Sequence, residues 1–162
     1  MTRRLILMRH AKSSWADENM SDHERPLNKR GRRAAVEIAG ELSDRNWLPD
    51  LVVSSTARRT QETWERMRPI LGDAIPLRSS ADLYLAALGD LQSDSTAWPT
   101  DVQTILCLGH NPGWERAVGL LSGRPQRMTT ANAALLLGEG SAWSEALARP
   151  WELVDFLRPT RD

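Results

Sequence analysis

The chain is poor in cysteine, in lysine and in long apolar runs, and it has no excess of either charge. Its one cysteine, Cys107, excludes an internal disulfide; set in the run Ile105-Leu106-Cys107-Leu108, it reads as a small buried residue. No segment approaches the roughly 18 consecutive apolar residues that a membrane span needs. The first apolar stretch stops at Arg9-His10, too early for a secretory signal. A cytoplasmic protein with no membrane partner is expected. Twenty-one Lys plus Arg balance twenty-one Asp plus Glu, so the basic excess typical of a nucleic-acid binder is missing and no such partner is expected. Only Lys12 and Lys29 are lysines, so arginine carries nearly all the positive charge. Arginine is the better bidentate phosphate ligand, although the codon bias of a GC-rich genome would enrich it equally.

What is present is the pattern of an α/β domain. The length of 162 residues suits one compact unit, and residues 1–162 are read as a single domain. Leu5–Met8, Leu51–Val53 and Thr104–Leu108 are short apolar runs that each end in polar or charged residues, as buried strands do. The carboxyl ends of such strands are where open α/β sheets bind ligands. Helical periodicity follows each run. Asn28 is a suitable N-cap for a helix carrying Ala35, Ile38, Ala39 and Leu42 on one face and ending between Asp44 and Trp47. A second helix spans about 57–71, stopped by Gly72, and a third opens at Pro112 and ends near Gly123. A further helix is expected around Leu83–Leu91, and strands over 133–138 and 151–157, the latter as a half-exposed edge. The seven tryptophans are scattered and read mostly as packing.

Three elements at these strand ends carry chemistry. Arg9-His10 follows the first run; a neutral, oriented imidazole attacks phosphorus well, and a neighbouring arginine binds phosphoryl oxygens. By itself the pair fits a structural histidine equally well. Gly109-His110-Asn111-Pro112 lies between a strand and a helix start, where backbone N–H groups favour an anion; it also fits a plain structural turn. In Ser54 to Thr63, Arg58 and Arg59 fall in the first turn of a helix, a position that the macrodipole disfavours for a cation unless an anion is bound there. Two histidines and two or more arginines in one cleft describe a phosphate site with no metal.

Leu7-Met8-Arg9-His10-Ala11-Lys12-Ser13-Ser14-Trp15, Ser55-Thr56-Ala57-Arg58-Arg59-Thr60-Gln61-Glu62-Thr63 and Gly109-His110-Asn111-Pro112 together resemble the signature of the histidine phosphatase, or phosphoglycerate mutase-like, superfamily. Arg25-Pro26-Leu27-Asn28 followed by Gly31 is similar to the segment that opens that family's first helix. The motifs occur in family order from residue 5 to about 115. The short length and the Arg-His-Ala-Lys-Ser run look most like the SixA-type phosphohistidine phosphatases. The resemblance implies a three-layer αβα sandwich with a mostly parallel central sheet. It also implies His10 as a nucleophile that forms a phosphohistidine, Arg9, Arg59 and His110 as phosphate ligands, Arg25 as a basic residue at the pocket mouth, and no cofactor or metal. Ala11 stands where many members have Gly, Thr56 where Pro is usual, and Ala16 where mutases have Asn. Larger relatives place a carboxylic acid after the third strand, and Asp82 is the candidate here, with Asp90 behind it. The implied substrate is phosphohistidine on a protein, which needs less leaving-group protonation than an alkyl ester. The alternatives are a small phosphorylated metabolite hydrolysed by the same chemistry and a catalytically idle phosphate-binding module. The loops expected to choose the substrate are 13–24, where His23 reads as solvated, and 80–100.

Overall fold

A computed structural model describes residues 1–160. The first apolar run becomes β1 (Thr2–Arg9), in which Leu5, Ile6, Leu7 and Met8 are all fully buried. A strand with no exposed face must be covered on both sides, and its alternating side chains do feed two cores. Leu5 and Leu7 pack with Val53, Ile105, Cys107, Trp114 and Trp143. Ile6 and Met8 pack with Ile38, Leu42, Val52, Trp64, Met67 and Leu106.

The helices divide between those cores. On one side lie α1 (Lys29–Asp44), whose buried stripe is Gly31, Ala35, Ile38, Ala39 and Leu42, and α2 (Arg58–Leu71), which buries Trp64 and Met67. On the other lie α3 (Leu88–Asp94), α4 (Gly113–Ser122) and α5 (Trp143–Leu147), contributing Leu91, Trp114 and Trp143. Between them runs one six-stranded sheet, formed with β2 (Leu51–Ser55), β3 (Leu77–Ser80), β4 (Thr104–Gly109), β5 (Ala133–Glu139) and β6 (Glu152–Leu157), in the order β3-β2-β4-β1-β5-β6. β1 to β4 are parallel; β5 is antiparallel to β1, and β6 to β5. This is the expected three-layer sandwich with a mostly parallel sheet.

Register brings the polar strand ends together. Arg9 of β1 pairs with Gly109 of β4, Ser54 of β2 pairs with Leu108, and the His10 N–H donates to the Gly109 carbonyl at 3.0 Å. Asn28 caps α1 by accepting from the Gly31 N–H at 2.8 Å. Gly31 is required there because a Cβ would sit 2.1 Å from the Lys12 carbonyl oxygen, so α1 rests directly on the loop after His10.

Three elements differ from expectation. The single helix expected around Leu83–Leu91 is a one-turn 3-10 helix at Ala81–Leu83 and the later α3, separated by Leu85 in the left-handed region at φ 55°. β3 and α5 were not expected at all. Six of the seven tryptophans are buried as anticipated; the exception is Trp15, 74% exposed.

Candidate active site

His10 is the first residue beyond β1, and its ring is buried. Its Nδ1 lies 2.7 Å from the Ala11 carbonyl oxygen. A carbonyl can only accept, so the ring proton sits on Nδ1 and Nε2 keeps its lone pair. That lone pair accepts from Arg59 Nε at 3.3 Å. Burial, reinforced by the nearby charges of Arg59, Arg9 and Arg25, lowers the His10 pKa to about 3, so the ring is neutral at physiological pH.

His110, beyond β4, faces it with ring centroids 5.4 Å apart. Arg59 Nη2 donates to its Nδ1 at 3.4 Å, leaving Nε2–H to donate to Ser55 Oγ at 2.6 Å. Its pKa is also lowered to about 3, chiefly by burial and then by His10 and Arg59. Arg59 thus sits in the first turn of α2 and touches both imidazoles. The anion that a cation at this helix end calls for is Asp22: Arg59 Nη1 donates to its carbonyl at 2.7 Å and Nη2 to its Oδ2 at 3.0 Å.

Arg25 completes the cluster, with Nε and Nη2 both donating to Asp22 Oδ1 at 3.1 and 3.0 Å, Nη1 bonding Ser13 Oγ, and the guanidinium stacked 3.5 Å from the Trp15 ring centroid. Arg9 Nη1 donates to the Met128 carbonyl at 3.1 Å, while its buried Nε has no hydrogen-bond partner. A buried donor left open is costly in a finished core, but serves a site that awaits an acceptor. The histidines, these arginines and Asp22 line a cavity of about 430 Å³. Three guanidiniums and the Lys12 ammonium outweigh the one carboxylate on the cavity wall, an excess of positive charge that suits a phosphoryl dianion.

The structure therefore brings together Arg9, His10, Arg25, Arg59 and His110. It does not bring Asp82 or Asp90 to them. Asp82 is exposed on the 3-10 turn and does not line the cavity. Asp90 accepts from the Ala87 N–H at 2.9 Å as part of the α3 N-terminus. The carboxylate at the cavity is Asp22. Burial works to raise its pKa, but bonds from Tyr84, Arg25 and Arg59 outweigh that and hold it at about 2. His23 is not simply solvated, since its Nε2 lies 2.9 Å from Thr56 Oγ1. Sequence reasoning missed Asp22, Ser55 and Tyr84, the last stacking edge-on against His110 at 5.4 Å. Only Asp22 left a signal, its i, i+3 spacing to Arg25. Among the described residues, no three His, Cys, Asp or Glu side chains are grouped to hold a metal ion. No described helix is long and apolar enough to cross a membrane.

Residues 5–101 match the model of the histidine phosphatase superfamily (branch 1). An uncharacterized chloroplastic protein of Arabidopsis thaliana is 40% identical, the match covering 98% of this chain and 79% of that one. The solved structure named as a phosphohistidine phosphatase SixA from Agrobacterium tumefaciens superposes with a TM-score of 0.82 at 31% identity, covering 97% of this chain and 98% of that one. A SixA structure from Nakamurella gives a TM-score of 0.85 at 29% identity, over 99% and 98% of the two chains. The chain belongs to the histidine phosphatase superfamily, in its SixA-type group, and is a phosphatase.

Proposed function

We propose that this phosphatase works without a metal, through a phosphohistidine on His10, and that its substrate is phosphohistidine carried by a protein. The observation behind the reading is the state of His10: neutral, with Nδ1–H tied to the Ala11 carbonyl and the Nε2 lone pair beside Arg59. In the first step that lone pair attacks phosphorus while the bond to the leaving group breaks, the leaving group keeping the bonding electrons. Arg9 and Arg59 hold the equatorial oxygens and offset the charge that grows there, with Arg25 at the mouth; His110 joins them by carrying its proton on Nδ1, the nitrogen beside Arg59, with the Ser55 hydroxyl then donating to Nε2. In the second step water attacks phosphorus, the P–N bond breaks, and His10 recovers its lone pair as phosphate leaves.

Asp22 supports the choice of substrate. With its pKa at about 2 it is a carboxylate at neutral pH and has no proton to give a leaving alkoxide. An imidazole leaving group needs far less help. A small phosphomonoester is the second substrate class that the same chemistry would turn over, more slowly. The reading sets the reaction in the cytoplasm, with which a free, buried Cys107 thiol is compatible. It treats residues 1–162 as one domain, since strands of a single sheet run from Thr2 to Leu157.

The test offers the enzyme a phosphohistidine protein, an aryl phosphate and an alkyl phosphate, each with excess chelator. Phosphohistidine should be hydrolysed fastest and the alkyl ester slowest, with an acid-labile phosphate trapped on His10. His10→Ala should lose on the order of 10³-fold or more in kcat. Activity surviving in that variant ends the nucleophile assignment, loss on chelation ends the metal-free claim, and a faster alkyl ester ends the substrate assignment.

A further inference from the structure

A second groove, of about 700 Å³, adjoins the phosphoryl cavity and shares Lys12 and Thr130 with its wall. Its lining brings together Lys12 from the loop after β1, Arg30 from α1, Arg127 from the segment before β5 and Arg158 from the residue after β6. Among the described residues no carboxylate lines it. The formal charge of the chain is zero, so the gathering of these basic side chains is a matter of placement, not of composition. Arg127 and Arg158 are neighbours: Arg158 Nη2 donates to the Arg127 carbonyl at 3.3 Å, and its guanidinium lies 4.4 Å from the Phe156 ring centroid.

The two sites differ in how their cations are mounted. Arg25 and Arg59 are buried and fixed by converging bonds, which suits one small, rigid group. Lys12, Arg127 and Arg158 are exposed around an open groove, which suits carboxylates spread over a partner surface. We propose that this groove docks acidic side chains flanking the phosphohistidine of a protein substrate. The proposal rests on the phosphohistidine reading above and adds a preference for what surrounds the target residue.

The experiment uses two synthetic peptides with the same central phosphohistidine, one flanked by Asp and Glu and one by neutral residues. Binding is measured to the His10→Ala protein, which retains both sites. The acidic peptide should bind about tenfold tighter, the margin should shrink as salt rises to 0.5 M, and adding Arg127→Ala and Arg158→Ala should remove it. In the otherwise native enzyme those two substitutions should leave kcat/KM for an aryl phosphate unchanged. Equal binding of the two peptides, or an acidic preference that survives the double substitution, overturns the proposal. So does inhibition by a bisphosphorylated small molecule that needs Arg127 and Arg158 when peptide binding does not, which would make the groove a small-molecule subsite. If the native enzyme hydrolyses neither peptide yet the flank preference persists, the phosphohistidine reading falls and the acidic docking groove stands.

Discussion

At the scale of single residues, the site turns on where protons and anions rest before substrate arrives. The Ala11 carbonyl settles the His10 tautomer, and burial, reinforced by three arginines, keeps the ring neutral. The same arginines are not idle in the free site, because Asp22 occupies Arg25 and Arg59 with both of its carboxylate oxygens. A phosphoryl group entering the cavity meets that carboxylate as a like charge, so Asp22 organises the arginines and also opposes the ligand they are set to bind. Removing the charge while keeping the shape separates the two effects. Asp22→Asn is expected to lower the Ki of inorganic phosphate by roughly three- to tenfold, the scale of one unit charge a few ångströms away in a partly exposed site. Competitive inhibition of aryl phosphate hydrolysis measures it. A raised Ki would mean that holding Arg25 and Arg59 in place matters more than the repulsion.

At the scale of elements, backbone contacts place these side chains, and glycine marks where they are closest. Gly113 opens α4 directly after the His110 turn, and a Cβ there would lie 1.7 Å from the Ala86 carbonyl oxygen. Main chain cannot swing aside as a side chain can. Gly113→Ala should therefore cost about 2 kcal/mol or more and lower kcat by displacing His110. Gly40, inside α1, has nothing within 4 Å of its would-be Cβ. There the same substitution should stabilise by about 0.5–1 kcal/mol through helix propensity. Denaturant midpoints of the two variants, expected to move in opposite directions, check both. Legibility from sequence follows the same physics. β1, β2 and β4 are buried on both faces, so their apolar runs were plain, and the polar residues at their ends pointed to the cavity. β3, Leu77-Arg78-Ser79-Ser80, is a short edge strand of exposed and half-exposed residues, with no apolar pattern to read. Leu83 and Leu91 are both buried at a helix-compatible spacing, yet Leu85 turns the chain left-handed between them, which no periodicity reports. Asp82 is the acid the family resemblance points to, since larger relatives carry one after their third strand, but the 3-10 turn carries it outward, and the carboxylate at the cavity comes instead from a segment with no apolar signature at all.

At the scale of the whole molecule, the site has a cost that acid should reveal. His10 and His110 are buried, and both have folded pKa values near 3 against an ordinary 6.5. Between those limits the unfolded chain holds a proton on each ring and the folded chain does not, so unfolding takes up protons and stability rises with pH across that window. Asp22, at about 2 against 3.8, acts in the same direction at lower pH: unfolding takes up its proton between those two values. All three groups therefore make the fold lose stability as pH drops below about 6.5, the histidines first and Asp22 last. Near pH 5 the two histidines alone should contribute close to two protons taken up per molecule unfolded. Thermal unfolding from pH 7 down to pH 4.5 tests this, with His10→Asn/His110→Asn as the comparison. The native chain should lose Tm steeply over that range, and the double variant, with neither buried ring left to protonate, should lose distinctly less. Parallel curves would mean that the imidazoles titrate normally inside the fold. A neutral His10 at pH 5 would then be untenable.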